Sequence, residues 1–208
     1  EENAFYVCSG LMSVTIGDNV TSIGDSAFGS CSSLTSVTIG DSVTSIGDSA
    51  FVGCNSLTSV TIPNSVTSIG MSTFRDCSDL TSVTIGDNVT SIGFYAFSGC
   101  DNLTSFNGKF ASADNRCLII DGVLYSFAPA VLTEYIIPNS VTSIDSGVFH
   151  SLNLTSITIP DSVIEIGGQA FRGCSYLTSV YCNPINPPTM GAGAFHDNAT
   201  DRKIYVPS

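Results

Sequence analysis

Leu34 to Gly53 reads LTSVTIGDSVTSIGDSAFVG, and Cys54-Asn55-Ser56 completes a unit of 23 residues. Leu34, Val37 and Ile39 alternate with Ser36 and Thr38. That period of two, rich in β-branched residues, predicts a strand with one buried face. Gly40-Asp41-Ser42, or Pro63-Asn64-Ser65 one copy later, is turn chemistry. Val43 and Ile46 then return to the core. Gly47 takes a left-handed or a tight backbone position, and a later copy has Asp145 there, a type that tolerates the left-handed region. Asp48 is placed to cap a short turn carrying Ala50, Phe51 and Cys54. Inward spacings of three and four residues there predict a single helical or 3-10 turn.

Working outward, the unit repeats. Phe5, Phe28, Phe51, Phe74 and Phe97 stand 23 apart, as do Cys8, Cys31, Cys54, Cys77 and Cys100, and Leu11, Leu34, Leu57, Leu80 and Leu103. The leucine step is then 29 residues to Leu132, 22 to Leu154 and 23 to Leu177. A last partial copy holds Ala194-Phe195 and the strand-like Lys203-Ile204-Tyr205-Val206-Pro207. Strand-like segments near 11, 34, 57, 80, 103, 132, 154, 177 and 203 predict about nine rungs. A lone unit buries too little apolar surface to offset the ordering of its backbone, so units must stack. The expected organisation is one solenoid domain: regular repeats over 1–106, an inserted hairpin over 107–131, and further repeats with a terminal strand over 132–208.

Composition narrows the partners. The chain has 208 residues, 18 acids against 6 basic residues, and a formal charge of −12. Nucleic acid needs clustered Lys and Arg and is not an expected partner. With 43% hydrophobic and only 12% charged residues, the chain is too apolar for disorder. No apolar run approaches the ~20 residues of a membrane span. Both ends read as cut. Ala4 to Cys8 is the tail of a unit whose start is absent, so a missing leader carries no weight for localisation.

The pattern LxxVxIPxSVTSIGxxAFxxC, carried by Leu57 to Cys77 and Leu34 to Cys54, resembles the BspA-like class of leucine-rich repeat proteins. The resemblance covers nearly the whole chain. It implies a right-handed solenoid with a parallel β-sheet on one side and short strands, 3-10 or single helical turns on the other. It also implies a bacterial or protist protein, secreted or at the cell surface and often linked to adhesion. Members of the class often carry a DGVLY-type inserted hairpin like Asp121 to Tyr125.

Six cysteines (8, 31, 54, 77, 100 and 174) share one repeat position, which predicts a column of small buried side chains. Their side chains run parallel, so free thiols are expected rather than a disulfide framework. Cys182 replaces an inward Ile and Cys117 lies in the insert. No Cys-x-x-Cys or His pairing suggests a metal. His150 and His196 follow the repeat Phe at variable surface positions. No nucleophile elbow or phosphate loop is present. No enzyme activity, cofactor or metal is therefore expected. Asp18, Asp41 and Asp87 sit in turns, where weak calcium binding is the alternative to a solvated face. Five Asn-x-Ser/Thr sequons (Asn19, Asn88, Asn102, Asn153 and Asn198) matter only in a glycosylating host.

Two candidate binding surfaces follow. Outward strand positions form hydroxyl ladders, Ser13 to Ser105 and Thr15 to Thr84, with Ser59 and Thr61 at their centre. Such a face suits a glycan, a protein or ice, or simply keeps an exposed strand soluble. Tyr181 and Tyr205 at outward positions of later rungs break an ice-matching lattice. The insert offers Phe110, Tyr125 and Phe127 around an Asp121-Gly122 hairpin turn, and breaks in a repeat often lie on the binding face. The aromatics there read as exposed anchors, so the hairpin is the first expected site and the sheet face the second. The expected function is adhesion or macromolecular binding by an extracellular or cell-surface monomer, with a host or neighbouring-cell protein or glycan as partner. The alternative is a structural spacer that displays a flanking domain.

Overall fold

The computed structural model describes residues 1–207. A longer and a shorter strand alternate along the chain: β1 (Ser13–Ile16) and β2 (Ser22–Ile23), β3 (Ser36–Ile39) and β4 (Ser45–Ile46), β5 (Ser59–Thr61) and β6 (Ser68–Ile69), β7 (Ser82–Thr84) and β8 (Ser91–Ile92), then β9 (Ser105–Asn107). The insert supplies β10 (Cys117–Ile120) and β11 (Val123–Phe127). Alternation resumes with β12 (Glu134–Ile136), β13 (Ser143–Ile144), β14 (Ser156–Ile159), β15 (Glu165–Ile166), β16 (Ser179–Cys182), β17 (Thr189–Met190) and β18 (Lys203–Tyr205). The architecture is a parallel β-solenoid. It completes about eight turns rather than nine, because β18 has no shorter strand after it among the described residues.

The chain divides into two compact units. The first comprises Glu1–Cys117 and Ala128–Ala130, the second Leu118–Phe127 and Val131–Ser208. In the first, β1 pairs with β3, and β5, β7 and β9 pair in order. Ser59 lies against Ser82 and Ser82 against Ser105, so each repeat column is held in register by the ladder itself. The shorter strands β2, β4, β6 and β8 form a second parallel sheet. The second unit repeats the plan with β12-β14-β16-β18 and β10-β11-β13-β15-β17.

Between the sheets the side chains stack by type. Phe28 and Phe51 lie 5.2 Å apart, and Phe51 and Phe74 5.3 Å apart and parallel. Phe106 takes the inward valine position of β9 and meets Phe97 edge-on at 5.4 Å. Phe149, Phe171 and Phe195 form a stack of the same kind within the second unit at 4.8 Å steps. Leu34, Leu57, Leu80, Val43, Val66 and Cys54 are all fully buried.

The third side of each coil is neither helical nor 3-10. Its residues turn on i→i−3 bonds such as Ala27 N to Gly24 O and Cys31 N to Phe28 O. The turns never propagate, because left-handed residues recur four apart: Ser26 and Ser30, Ser49 and Gly53, Ser72 and Asp76. Alternate N–H groups therefore point along the stack. Ser26 donates to Asp48, Phe28 to Ala50 and Ser30 to Val52 in the next coil. A left-handed non-glycine residue costs roughly 1–2 kcal/mol, and this third ladder of interlayer bonds offsets it.

Gly47 has the tight role, not the left-handed one. Its φ is not positive, and a Cβ there would fall 2.7 Å from the backbone nitrogen of Asp25. At Asp145 the preceding layer is the extended strand β11 rather than this turn, which leaves room for a side chain. Asp48 also differs from expectation. Its Oδ1 accepts from Met71 N of the next coil at 2.6 Å, so it ties layers together rather than capping its own turn.

Candidate functional site: the outward faces of the longer-strand sheets

On the first unit, two sets of hydroxyls do different work. Thr35, Thr81 and Thr104, at the entry to the longer strands, donate to the carbonyls of Met12, Thr58 and Thr81 one coil before. Thr44, Thr67 and Thr90 do the same before the shorter strands. These hydroxyls are consumed by the fold. Ser36, Thr38, Ser59 and Thr61 instead stand outward and exposed on β3 and β5. With Thr84, Asp41, Asn64 and Asp87 they line a groove of about 620 Å³. The two sequence-predicted sheet residues, Ser59 and Thr61, thus sit side by side in one polar groove whose only charges are carboxylates.

The second unit keeps the same inward pattern and changes the outward one. Along one outward column the register runs Ile136, Thr158, Tyr181, Tyr205, and along the other Glu134, Ser156, Ser179, Lys203. Tyr181 and Tyr205 stack with ring centroids 4.8 Å apart and planes within 14°. Ile136 is 71% exposed, Tyr181 41% and Tyr205 44%. Glu134, Ile136, Ser156, Thr158, Ser179 and Tyr181 border a recess of about 340 Å³. Sequence reasoning placed both tyrosines outward but missed Ile136, which had no counterpart among the Thr residues of earlier copies.

The insert aromatics are not a cluster of exposed anchors. Phe127 is buried, packing on Tyr135 at 4.5 Å and Phe149 at 5.1 Å. It belongs to the phenylalanine stack, because β11 pairs in parallel with β13 as a layer of the solenoid would. Tyr125 is half-buried, and burial, then Asp145 and Asp121, push its hydroxyl pKa up. Phe110, in the first unit, is half-buried beneath Lys109, whose ammonium lies 5.0 Å from the ring centre. Asp121 and Gly122 both have positive φ, 49° and 81°, the type I′ geometry that a two-residue hairpin demands. The hairpin is therefore part of the second unit's sheet rather than an appendage.

The buried cysteines of the repeat column are structural. Cys54, Cys77 and Cys100 donate S–H bonds to the carbonyls of Phe28, Phe51 and Phe74, one layer before. Burial, then the neighbouring Cys31, raises the Cys54 thiol to about 12, and burial raises Cys100 to about 12 and Cys174 to about 11. Thiols held neutral in this way are poor nucleophiles and poor metal ligands. Cys8 is exposed and Cys182 half-buried. His150 is half-buried at the surface, whereas His196 is exposed and its Nδ1 lies 2.9 Å from Asp197. That contact, then Arg172, holds the Asp197 carboxyl below its usual range. Among the described residues no three His, Cys, Asp or Glu side chains are grouped to hold a metal ion. No helix among them is long and apolar enough to cross a membrane.

The repeat is that of a known family. A sequence profile of the BspA type leucine rich repeat region matches residues 1–117 and 124–208 in six copies. No curated protein matches. Several solved structures are similar. A leucine rich repeat protein of T. pallidum has 25% identity and a TM-score of 0.58, over 85% of this chain and 69% of that one. A leucine rich cell surface protein of Faecalibacterium prausnitzii has 27% identity and a TM-score of 0.53, over 100% of this chain and 76% of that one. The chain belongs to the BspA-type leucine-rich repeat family.

Proposed function

We propose that this BspA-type leucine-rich repeat chain is a binding scaffold, secreted or displayed at a bacterial cell surface. It engages a macromolecule of a host or neighbouring cell through the outward faces of its longer-strand sheets. One observation carries the reading. The threonines at strand entries are tied to backbone carbonyls, while Ser36, Thr38, Ser59 and Thr61 remain exposed and line a groove. A face of that kind binds by shape and hydroxyl contacts. With 18 acids against 6 basic residues, the chain's long-range field favours basic partners and offers no attraction to neutral or acidic ones. The likeness to a cell-surface protein at 27% identity supports the localisation. The hairpin is the weaker location, because Phe127 lies in the core.

Titration of the fluorescently labelled chain onto intact bacterial and epithelial cells, read by flow cytometry, tests this. Saturable binding that unlabelled chain displaces is expected. Binding that never saturates, or none, rejects the scaffold reading and favours a spacer that displays a flanking domain.

A further inference from the structure

We propose that the recess on the second unit's sheet face is a subsite for a neutral pyranose ring of a glycan. The proposal rests on the reading of the sheet faces as binding surfaces and names the ligand class for one of them. Tyr205 stacks on one face of Tyr181. The opposite face of Tyr181 turns toward the shorter Thr158, its neighbour in register, and Ile136 stands one strand further on. Two strand spacings separate Ile136 from Tyr181, about 9.6 Å. A ring touching both walls needs two carbon contacts of about 3.5–4.0 Å each. Those contacts and the pucker of a sugar chair account for the gap.

The chemistry of the slot selects among ligands. Its walls are an aromatic face and an aliphatic side chain, but its floor carries Ser156, Thr158 and Ser179. An apolar peptide side chain pressed into it would desolvate those hydroxyls without replacing their water bonds. A pyranose presents C–H groups to the walls and hydroxyls around its rim, which satisfies both. Glu134 is the one charged residue bordering the recess, and the chain carries −12 overall, so a uronic or sialic acid is repelled. Lys203 lies beyond Ser179 in register, outside the slot. Tyr205 holds the Tyr181 ring in place before ligand arrives, which lowers the ordering cost of binding.

Isothermal titration of the full chain with cellohexaose, maltohexaose, mannohexaose and chitohexaose tests the proposal, with a hyaluronan hexasaccharide as the acidic control. At least one neutral saccharide binds and the acidic one does not. Tyr181→Ala weakens that binding by about tenfold or more, while Tyr181→Phe, which keeps the ring, stays within about threefold. Thr158→Trp fills the slot and abolishes binding with an unchanged melting temperature. No neutral saccharide bound, or affinity indifferent to Tyr181→Ala and Thr158→Trp, overturns it. So does a peptide, selected from a displayed library, that loses binding with Thr158→Trp while the saccharides never bind. Cell binding that depends on Ser59 and Thr61 can survive these failures, so loss of this subsite and loss of the scaffold reading are separable.

Discussion

The two longer-strand sheets have nearly the same inside and quite different outsides. Inward, β5 and β7 of the first unit bury Val60 and Val83, and β14 and β16 of the second bury Ile157 and Val180. Threonine at the strand entry donates to the coil before in both, Thr81 to Thr58 and Thr178 to Thr155. Outward, the first unit repeats Ser and Thr, while the second shows Ile136, Tyr181, Tyr205, Glu134 and Lys203. Stacked identical layers constrain every side chain that touches the next layer. Most outward residues escape that constraint, so variation there costs the fold little, which is the physical ground for proposing recognition on these faces.

Substitutions should therefore fall into a graded series. The largest effect belongs to the shared interior. Phe51→Ala and Phe171→Ala, each fully buried within its stack, should lower unfolding free energy by roughly 3–5 kcal/mol in denaturant titrations. A cost near zero in either unit would mean that its layers do not share one packing rule.

Next comes alkali. Cys54 and Cys100 titrate at about 12 and Cys174 at about 11 when folded, against an ordinary thiol value of 9.0. Raised folded pKa values give stability that is complete below pH ~9 and is lost as pH climbs toward 11–12, because only the unfolded chain ionises its thiols. Thermal melts should be flat in this respect up to about pH 8 and fall above pH ~9. Cys54→Ala with Cys100→Ala should soften that fall. An unchanged slope would show that the cysteine stack is not what titrates.

Smaller effects probe the ties between layers. Thr73 stands where Ala50 and Ala96 stand in adjacent coils, fully buried, and its hydroxyl donates to Gly70 O at 2.7 Å. Thr73→Ala should cost about 1 kcal/mol, as loss of one neutral hydrogen bond does. Asp48→Ala, which frees the exposed Met71 N–H to water, should cost less. A larger loss at Asp48 than at Thr73 would reverse the order of buried and exposed ties.

Much of this is legible in the residues. A period of two in Val37 and Ile39 and a fixed 23-residue return of Phe, Cys and Leu demand stacked layers. Three things were not legible. The role of Asp48 depends on which backbone N–H lies above it, and only the assembled stack places Met71 there. Phe127 reads as an exposed aromatic in a hairpin because nothing local reveals that β11 pairs in parallel with β13. The left-handed residues at Ser26 and Ser30 are equally hidden, since serine carries no signal for positive φ. Of the candidate site, the outward ladders and both tyrosines could be read directly, whereas the value of Ile136 emerged only from the recess it closes.

Inward residues make this fold, and the proposal assigns the contact to the outward sheet residues. The double variant Ser59→Lys with Thr61→Lys tests it most directly, with unfolding and cell binding measured on the same preparation. The expected result is a stability change within ~0.5 kcal/mol, as for exposed positions, and loss of saturable binding. Full binding by this variant, with binding lost instead when Asp121 at the hairpin turn becomes Lys, would contradict it.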